Sequence, residues 1–456
     1  MLFIVIMDPL DTTTDEEFAC EPVDWAPSTA KQPTKLCRWK VWAIGLVVLI
    51  VGVIVIVIVP ASVVTAKKKQ QSSNEKALAS TVGDGGDTLE PTDAPTPRLT
   101  PVPPACPVGG GPYVATSCPI TSSSMNSSGW TQIAEEIAGE AAFDLSGYSI
   151  SMSCDGSILA ISAIENDGNG ADAGHVRVYQ HNSTAWNQLG QDIDGENAKD
   201  QSGIGLSISS DGFRMAVGAR FNDGENVTNV GHVRVFNYSP ETGNWTQLGL
   251  DIDGEAANDG SGQSVSLSSD GERLAVGAPW NDENGDKSGH VRVYEVDSND
   301  EWTQLGNDID GEAEGDYFGR DVSMSPDATR VAVGAYKNSN NETNSEAGHV
   351  RIYEYDSNTE LWSQVGQDID GEEDDWAGFS VSMSLNNRVA VTSRGSNNRV
   401  FGLLVGHAKV YELANNTWTQ MGSDLVGGQD VSLSLDGTRV AVGDHRGAPN
   451  AGHVHV

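Results

Sequence analysis

Hydrophobic positions along the chain fall into two regimes. From Val41 to Val59 the sequence reads VWAIGLVVLIVGVIVIVIV, with no charge and only apolar residues and Gly. At 1.5 Å per residue this run spans about 28 Å, one hydrocarbon core, and predicts a transmembrane helix over 41–62. The Val and Ile content suits a strand, but strands are much shorter. After Trp130 the pattern changes to alternation with period two, as in SVSLS at 264–268 and HVRVY at 290–294. That is the signature of half-buried strands.

The alternating segments recur. A Trp signature begins at Trp130, Trp186, Trp245, Trp302, Trp362 and Trp418, spaced by 56, 59, 57, 60 and 56 residues. A second signature, GHV or GHA, places His175, His232, His290, His349, His407 and His453. Each unit offers four strands, in the third WTQLG, QSVSLS, RLAVGA and HVRVYEV, separated by Asp-Gly turns and polar loops. No unit carries a helical stripe. Four short antiparallel strands at this period describe the blade of a β-propeller. Residues 129–456 are therefore read as an all-β propeller of six repeats, with a seventh left open. If each blade ends on its Trp strand, the last blade lacks one, and Trp130 could supply it and seal the ring.

Residues 63–128 lie between the two regimes and run from KKKQQSSNEK to PTDAPTPRLTPVPPACP. Too polar and Pro-rich to bury a core, they predict a disordered Ser/Thr/Pro-rich stalk. Lys and Arg flank the apolar run on both sides, so charge alone does not orient it. Glycosylation triplets at Asn126, Asn182, Asn226, Asn237, Asn244, Asn341 and Asn415 all follow the run. Cys106 and Cys118 also follow it and could close a small disulfide loop, whereas Cys154 reads as a lone buried thiol in a strand. Residues 1–40 are then a cytosolic tail, and the carboxyl domain is extracellular or lumenal.

The units resemble FG-GAP repeats of the integrin α-subunit propeller family. The resemblance rests on Phe318-Gly319, Gly277-Ala278-Pro279 and the strand Gly289-His290-Val291-Arg292-Val293-Tyr294, and covers about 130–456. It implies a seven-bladed ring and a binding or adhesion role. It also implies calcium in D-x-D-x-D-G loops between the first two strands of a blade. The hairpins there, such as Ser269-Asp270-Gly271-Glu272, supply one carboxylate or none. No family calcium site is transferred.

Acid is abundant elsewhere: 64 Asp and Glu against 27 Lys and Arg give a net charge of -37. That excludes a phosphate-backbone ligand, and no nucleic-acid partner is expected. The D-I-D-G-E runs place Asp192, Asp194 and Glu196; Asp251, Asp253 and Glu255; Asp308, Asp310 and Glu312; and Asp368, Asp370 and Glu372 on one face. The sequence identifies no cofactor outright; calcium is the one these loops would suit. The repeated His and Trp read as packing positions. Specific recognition should sit where loops break the repeat, at 336–348, 393–406 and 444–452. The second carries Arg394, Arg399, Phe401, Leu403 and Leu404, an apolar patch rimmed by Arg. With no nucleophile elbow, zinc motif or non-repeated His/Asp/Ser cluster, the chain reads as a non-enzyme. The function expected is a membrane-tethered extracellular propeller that binds protein or glycan partners. The alternative is an extracellular hydrolase, or another enzyme, on the same scaffold.

Overall fold

The structure is a computed structural model. It describes residues 132–456 apart from 225–226, 340–345, 395–398, 401–402, 405 and 445–452. The apolar run, the stalk, Trp130, Cys106 and Cys118 lie outside the described residues. Among the described residues, no helix is long and apolar enough to cross a membrane.

Six successive antiparallel sheets make a six-bladed β-propeller. Blade 1 holds strands Ser146–Met152, Ile158–Ala163, His175–His181 and Trp186–Gln188. Blade 2 holds Leu206–Ile208, Arg214–Ala219, His232–Ser239 and Asn244–Gln247. Blade 3 holds Ser264–Leu267, Arg273–Ala278, His290–Val296 and Trp302–Gln304, and blade 4 Phe318–Met324, Arg330–Ala335, His349–Asp356 and Leu361–Gln364. Blade 5 holds Ala377–Met383, Arg388–Ser393, His407–Ala414 and Thr417–Val426, and blade 6 Asp430–Leu433, Val440–Asp444 and His453–His455. In blades 1 to 4 the outer strand breaks after its Gln. It resumes as an Ile-Asp pair on the third strand, as where Ile309–Asp310 pairs with Val291 and His290.

The alternation seen in the sequence decides what packs where. In blade 4, Val322, Met324, Val331 and Val333 face Ala275, Val291 and Val293 of blade 3. Blade 5 repeats this with Val381, Met383, Val389 and Val391 against Ala332, Val350 and Ile352 of blade 4. Each joint is a two-sheet apolar core, the dominant stabilising term in such folds. Polar ties run beside it. Ser207 accepts from Leu267 N at 2.9 Å, Ser266 from Met324 N at 2.9 Å and Ser323 from Met383 N at 3.0 Å, so the first strands hold one another around the centre. The repeated indoles donate to the preceding blade: Trp245 to Leu189 O at 2.8 Å, Trp362 to Leu305 O at 2.7 Å and Trp418 to Val365 O at 2.8 Å. The packing role expected for them holds.

The repeat glycines have a physical reason. A Cβ on Gly334 would collide with the carbonyl oxygen of Gly378, and Gly378 itself has φ of 84°. Backbones of adjacent blades therefore meet where the GA and FG-type glycines lie, which any side chain would prevent.

The first blade differs from the rest. Ile150 is 64% and Met152 52% exposed, whereas Val322 and Met324 at the equivalent positions of blade 4 are 5% and 4% exposed. At the other end of the array, Val454 is 71% exposed while its equivalent Val291 is fully buried. Among the described residues, these two faces lack the covering blade that every other joint has.

Candidate functional site

The long connections meet on one face, as the up-and-down order requires. Asn229 donates to Asn258 at 3.1 Å, and Tyr317 N to Lys287 O at 3.0 Å, linking the loops after the second strands to those entering the next blade. A buried Asp–Asn pair fixes both loops in each of four repeats: Asn166–Asp144, Asn222–Asp200, Asn281–Asp259 and Asn338–Asp316, at 2.9–3.1 Å. Burial pushes Asp200, Asp259 and Asp316 up, and the Asn amide and a backbone N–H offset part of that cost. The sequence reading missed these pairs, although both residues recur at the repeat period.

The D-I-D-G-E carboxylates sit on this face, but the run does not act as a unit. Its first Asp turns back to the Arg of its own blade. Its Glu reaches forward to the Arg of the next blade. Arg292 in blade 3 illustrates this: its Nη2 lies 2.7 Å from Asp308 and also contacts Glu255 of the preceding run. Arg177 joins Asp192 at 2.8 Å and Glu140, and Arg351 joins Asp368 at 2.7 Å and Glu312. Glu196 approaches Arg234 at 3.6 Å, and Glu372 approaches Lys409 at 3.8 Å. Asp251 faces His232. Hydrogen bonds from Arg hold Asp192, Asp308 and Asp368 below the usual carboxylate range, against desolvation that outweighs the bond in the last two environments as a single cause. Asp253, Asp310 and Asp370 shift up through burial; Asp194 occupies the same column, paired in register with His175.

A different set converges toward the centre of the same face, and its members come from columns where the repeats disagree. Arg220 follows the Gly-Ala of blade 2, and Arg320 follows the Phe-Gly of blade 4. Arg220 donates to Gln263 Oε1 at 2.7 Å and Gln201 Oε1 at 2.8 Å, both neutral. Its charge is pressed by burial and by Arg320. Arg320 and Arg394 each place the guanidinium carbon 4.8 Å from the Phe379 ring centre, one ring holding two cations. Tyr336 stands edge-on to Phe379 and Trp376, at 5.8 and 6.0 Å.

Beside Arg220, between blades 2 and 3, lies a cavity of about 380 Å³. Phe221 and Trp280 stack 6.5 Å apart at 20° across it, and Arg220 lies 4.5 Å from the first ring. Asn229, Asn258, Asp282, Asp286 and Lys287 supply the polar wall. Next to Arg320, Asp321 accepts from Val381 N at 2.8 Å, while Ser380 donates to Asp430 at 2.9 Å. Desolvation pushes Asp321 up to about 6, and the nearby Asp430 carboxylate adds to it. In the same column the other first strands carry Ser149, Gly205, Ser264 and Ser380, so this carboxylate pair is not part of the repeat.

Of the patch expected at 393–406, Arg394 joins this central set. Arg399 and Leu403–Leu404 form a two-stranded ribbon, 399–400 on 403–404, and Phe401 lies outside the described residues. Asn182 and Asn415 are exposed at turns between third and fourth strands, and Asn244 is exposed at the start of the fourth strand of blade 2, all on the opposite face. Asn237 sits in a strand and accepts from Arg214 at 2.8 Å. Asn126, Asn226 and Asn341 lie outside the described residues. The expectation for Cys154 is corrected: it lies in the hairpin after Met152, not in a strand, and is disulfide-bonded.

An all-β array of six repeated antiparallel sheets, with its long polar loops gathered on one face, defines a β-propeller. Residues 251–294 and 309–353 match the FG-GAP repeat family, within the six-bladed β-propeller. No curated protein sequence matches it. Solved structures of similar fold include a hydrazine synthase of Kuenenia stuttgartiensis, 14% identical over 67% of this chain and 82% of that one, with a TM-score of 0.44. Another is titled a putative 6-phosphogluconolactonase from Bacteroides uniformis, 11% identical over 66% and 78%, with a TM-score of 0.46. A third is the periplasmic gluconolactonase of Pseudomonas aeruginosa, 17% identical over 65% and 78%, with a TM-score of 0.44. The reading that the chain is not an enzyme is thereby withdrawn: propellers titled as enzymes share this fold, so neither the repeats nor a missing motif excludes catalysis. At these scores the likeness concerns fold and assigns no reaction.

Proposed function

We propose that the long-loop face binds an anionic, ring-bearing ligand, a glycan or small sugar that carries carboxylate or phosphate. The observation behind this is Arg220 and Arg320. On a chain of net charge -37, where the third-strand arginines each meet carboxylates, neither of these two forms an ion pair among the described residues. Guanidinium groups without a counter-ion suit carboxylate or phosphate. The Phe221–Trp280 stack offers an apolar wall for a sugar ring, with Asn229 and Asn258 as hydroxyl partners. The membrane-tethered, extracellular placement belongs to the same proposal. The apolar run at 41–59, exposed acceptors at Asn182, Asn244 and Asn415, and the disulfide at Cys154 support it.

Calorimetry of the full chain against sugar acids, sugar phosphates and neutral oligosaccharides tests the reading. Acidic sugars should bind, and Arg320→Gln should weaken them by about tenfold or more, as loss of a charged hydrogen bond implies. Equal binding of neutral and acidic sugars would refute it.

The Asp321–Asp430 pair favours a second reading, an enzyme that turns over the ligand held above it. A carboxyl group that titrates near neutrality is suited to general acid–base work. Release of product from esters or lactones of the acids that bind, abolished by Asp321→Asn with binding retained, would support this reading. Binding with no turnover would leave recognition alone.

A further inference from the structure

The geometry points to a divalent-cation site in blade 3, made by Glu255, Glu283, His290 and Asp308, that takes a first-row transition ion such as Mn²⁺ or Zn²⁺. One donor atom from each of the four lies within 4.8 Å of all the others. Among the described residues, blades 1, 2 and 4 bring together three: Glu140, His175 and Asp192; Glu196, His232 and Asp251; Glu312, His349 and Asp368. The fourth donor enters from the loop after the second strand. Glu283 is the second residue beyond Asn281, and the same column holds Gly168 in blade 1 and Gly224 in blade 2.

The imidazole supplies the independent observation. His290 is 3% exposed, and its buried Nδ1 has no hydrogen-bond partner. That nitrogen stands 3.9 Å from Glu255 Oε2. The gap is too long for a hydrogen bond, yet an ion about 2 Å from each atom would bridge it. Leaving such a nitrogen buried and unsatisfied is costly, and a metal would satisfy it.

Charge agrees. Glu255, Glu283, Asp308 and the adjoining Asp310 carry four negative charges, and Arg292 returns one. Asp310 Oδ1 is also buried without a hydrogen-bond partner. A dication therefore still meets a net negative site while Arg292 keeps its hold on Asp308 and Glu255. One imidazole nitrogen among carboxylate oxygens suits Mn²⁺ or Zn²⁺, whereas Ca²⁺ and Mg²⁺ prefer all-oxygen sets. The ion would also clamp the 281–289 loop, whose Asp282, Asp286 and Lys287 line the neighbouring cavity.

The test uses the full chain without a polyhistidine tag, stripped with chelator and titrated with Mn²⁺ and Zn²⁺ by calorimetry, with electron paramagnetic resonance for Mn²⁺. One tightly bound ion per chain is expected. Glu283→Gln should weaken it by about tenfold or more. His290→Gln should do the same, and His349→Gln in three-donor blade 4 should leave it unchanged. Glu283 is exposed, so its variant carries the test even if His290→Gln fails to fold. No bound ion in the unsubstituted chain, full affinity in Glu283→Gln, or displacement of Mn²⁺ by equimolar Ca²⁺ would each overturn the assignment.

Discussion

Met324→Ala and Met152→Ala make the same chemical change at equivalent positions of two blades. Met324 lies in the joint between blades 3 and 4 and is 4% exposed; Met152, on blade 1, is 52% exposed. Truncating a buried Met removes its transfer free energy and leaves a cavity, in total about 2–5 kcal/mol. At Met152 about half the transfer term is already absent and no cavity forms, so the cost should stay below about 1 kcal/mol. The two differ by about 2–3 kcal/mol, well above the error of denaturant titration of the full chain followed by Trp fluorescence. The two positions in blades 1 and 4 share strand position and a neighbouring Ser, Ser151 and Ser323. Equal destabilisation at the two sites would refute the description of an uncovered first blade. It would mean that another sheet packs on Ile150 and Met152 in solution, as a sealed ring requires.

Other outcomes follow from the same geometry. Gly334→Ala should destabilise by about 2 kcal/mol or more, because its Cβ meets the Gly378 carbonyl of the next blade; a neutral melting temperature would count against the close joint. His232, facing Arg234, Asp251 and Glu196, and His349, facing Arg351, Asp368 and Glu312, have folded pKa values of about 4 against 6.5 for the free side chain. Between those values the unfolded chain binds more protons, so stability is full above pH 6.5 and falls as pH drops toward 4. His349→Gln should remove about one proton from that slope in melts across pH 4–7, and an unchanged slope would place the His pKa elsewhere. Non-reducing peptide mapping should find Cys154 cross-linked, with Cys106 or Cys118 as partner if the domain lies beyond the membrane; a free Cys154 thiol would remove that support.

Strand placement and blade period were readable because both depend on local pattern. SVSLS and HVRVY put Val265, Leu267, Val291 and Val293 inward by alternation, and all four are buried. Two fold features needed long-range information. The break that leaves Ile309–Asp310 as a separate pairing segment reflects where the outer strand can follow the third. The uncovered face of blade 1 depends on what stands opposite Met152, and no residue near Met152 in sequence reports that.

The site was harder to read because repetition draws attention to the wrong columns. The D-I-D-G-E runs recur, and much of their acid joins blade to blade through Arg234, Arg292 and Arg351. A position that must serve every joint cannot also discriminate a ligand without the other joints doing the same. Discrimination therefore falls to columns free to vary. After Ser-Gly or its equivalent, the column reads Tyr148, Ile204, Gln263, Arg320, Phe379 and Gln429; after Gly-Ala it reads Ile164, Arg220, Pro279, Tyr336 and Arg394. Most residues that converge on the long-loop face lie in these two columns, flanked by Phe221 and Trp280 one residue later. Stacking the six repeats and asking where they disagree would have exposed both arginines. It would also have marked Glu283, the one carboxylate in a column of glycines in the first two blades, as the residue that turns a three-donor joint into a four-donor site.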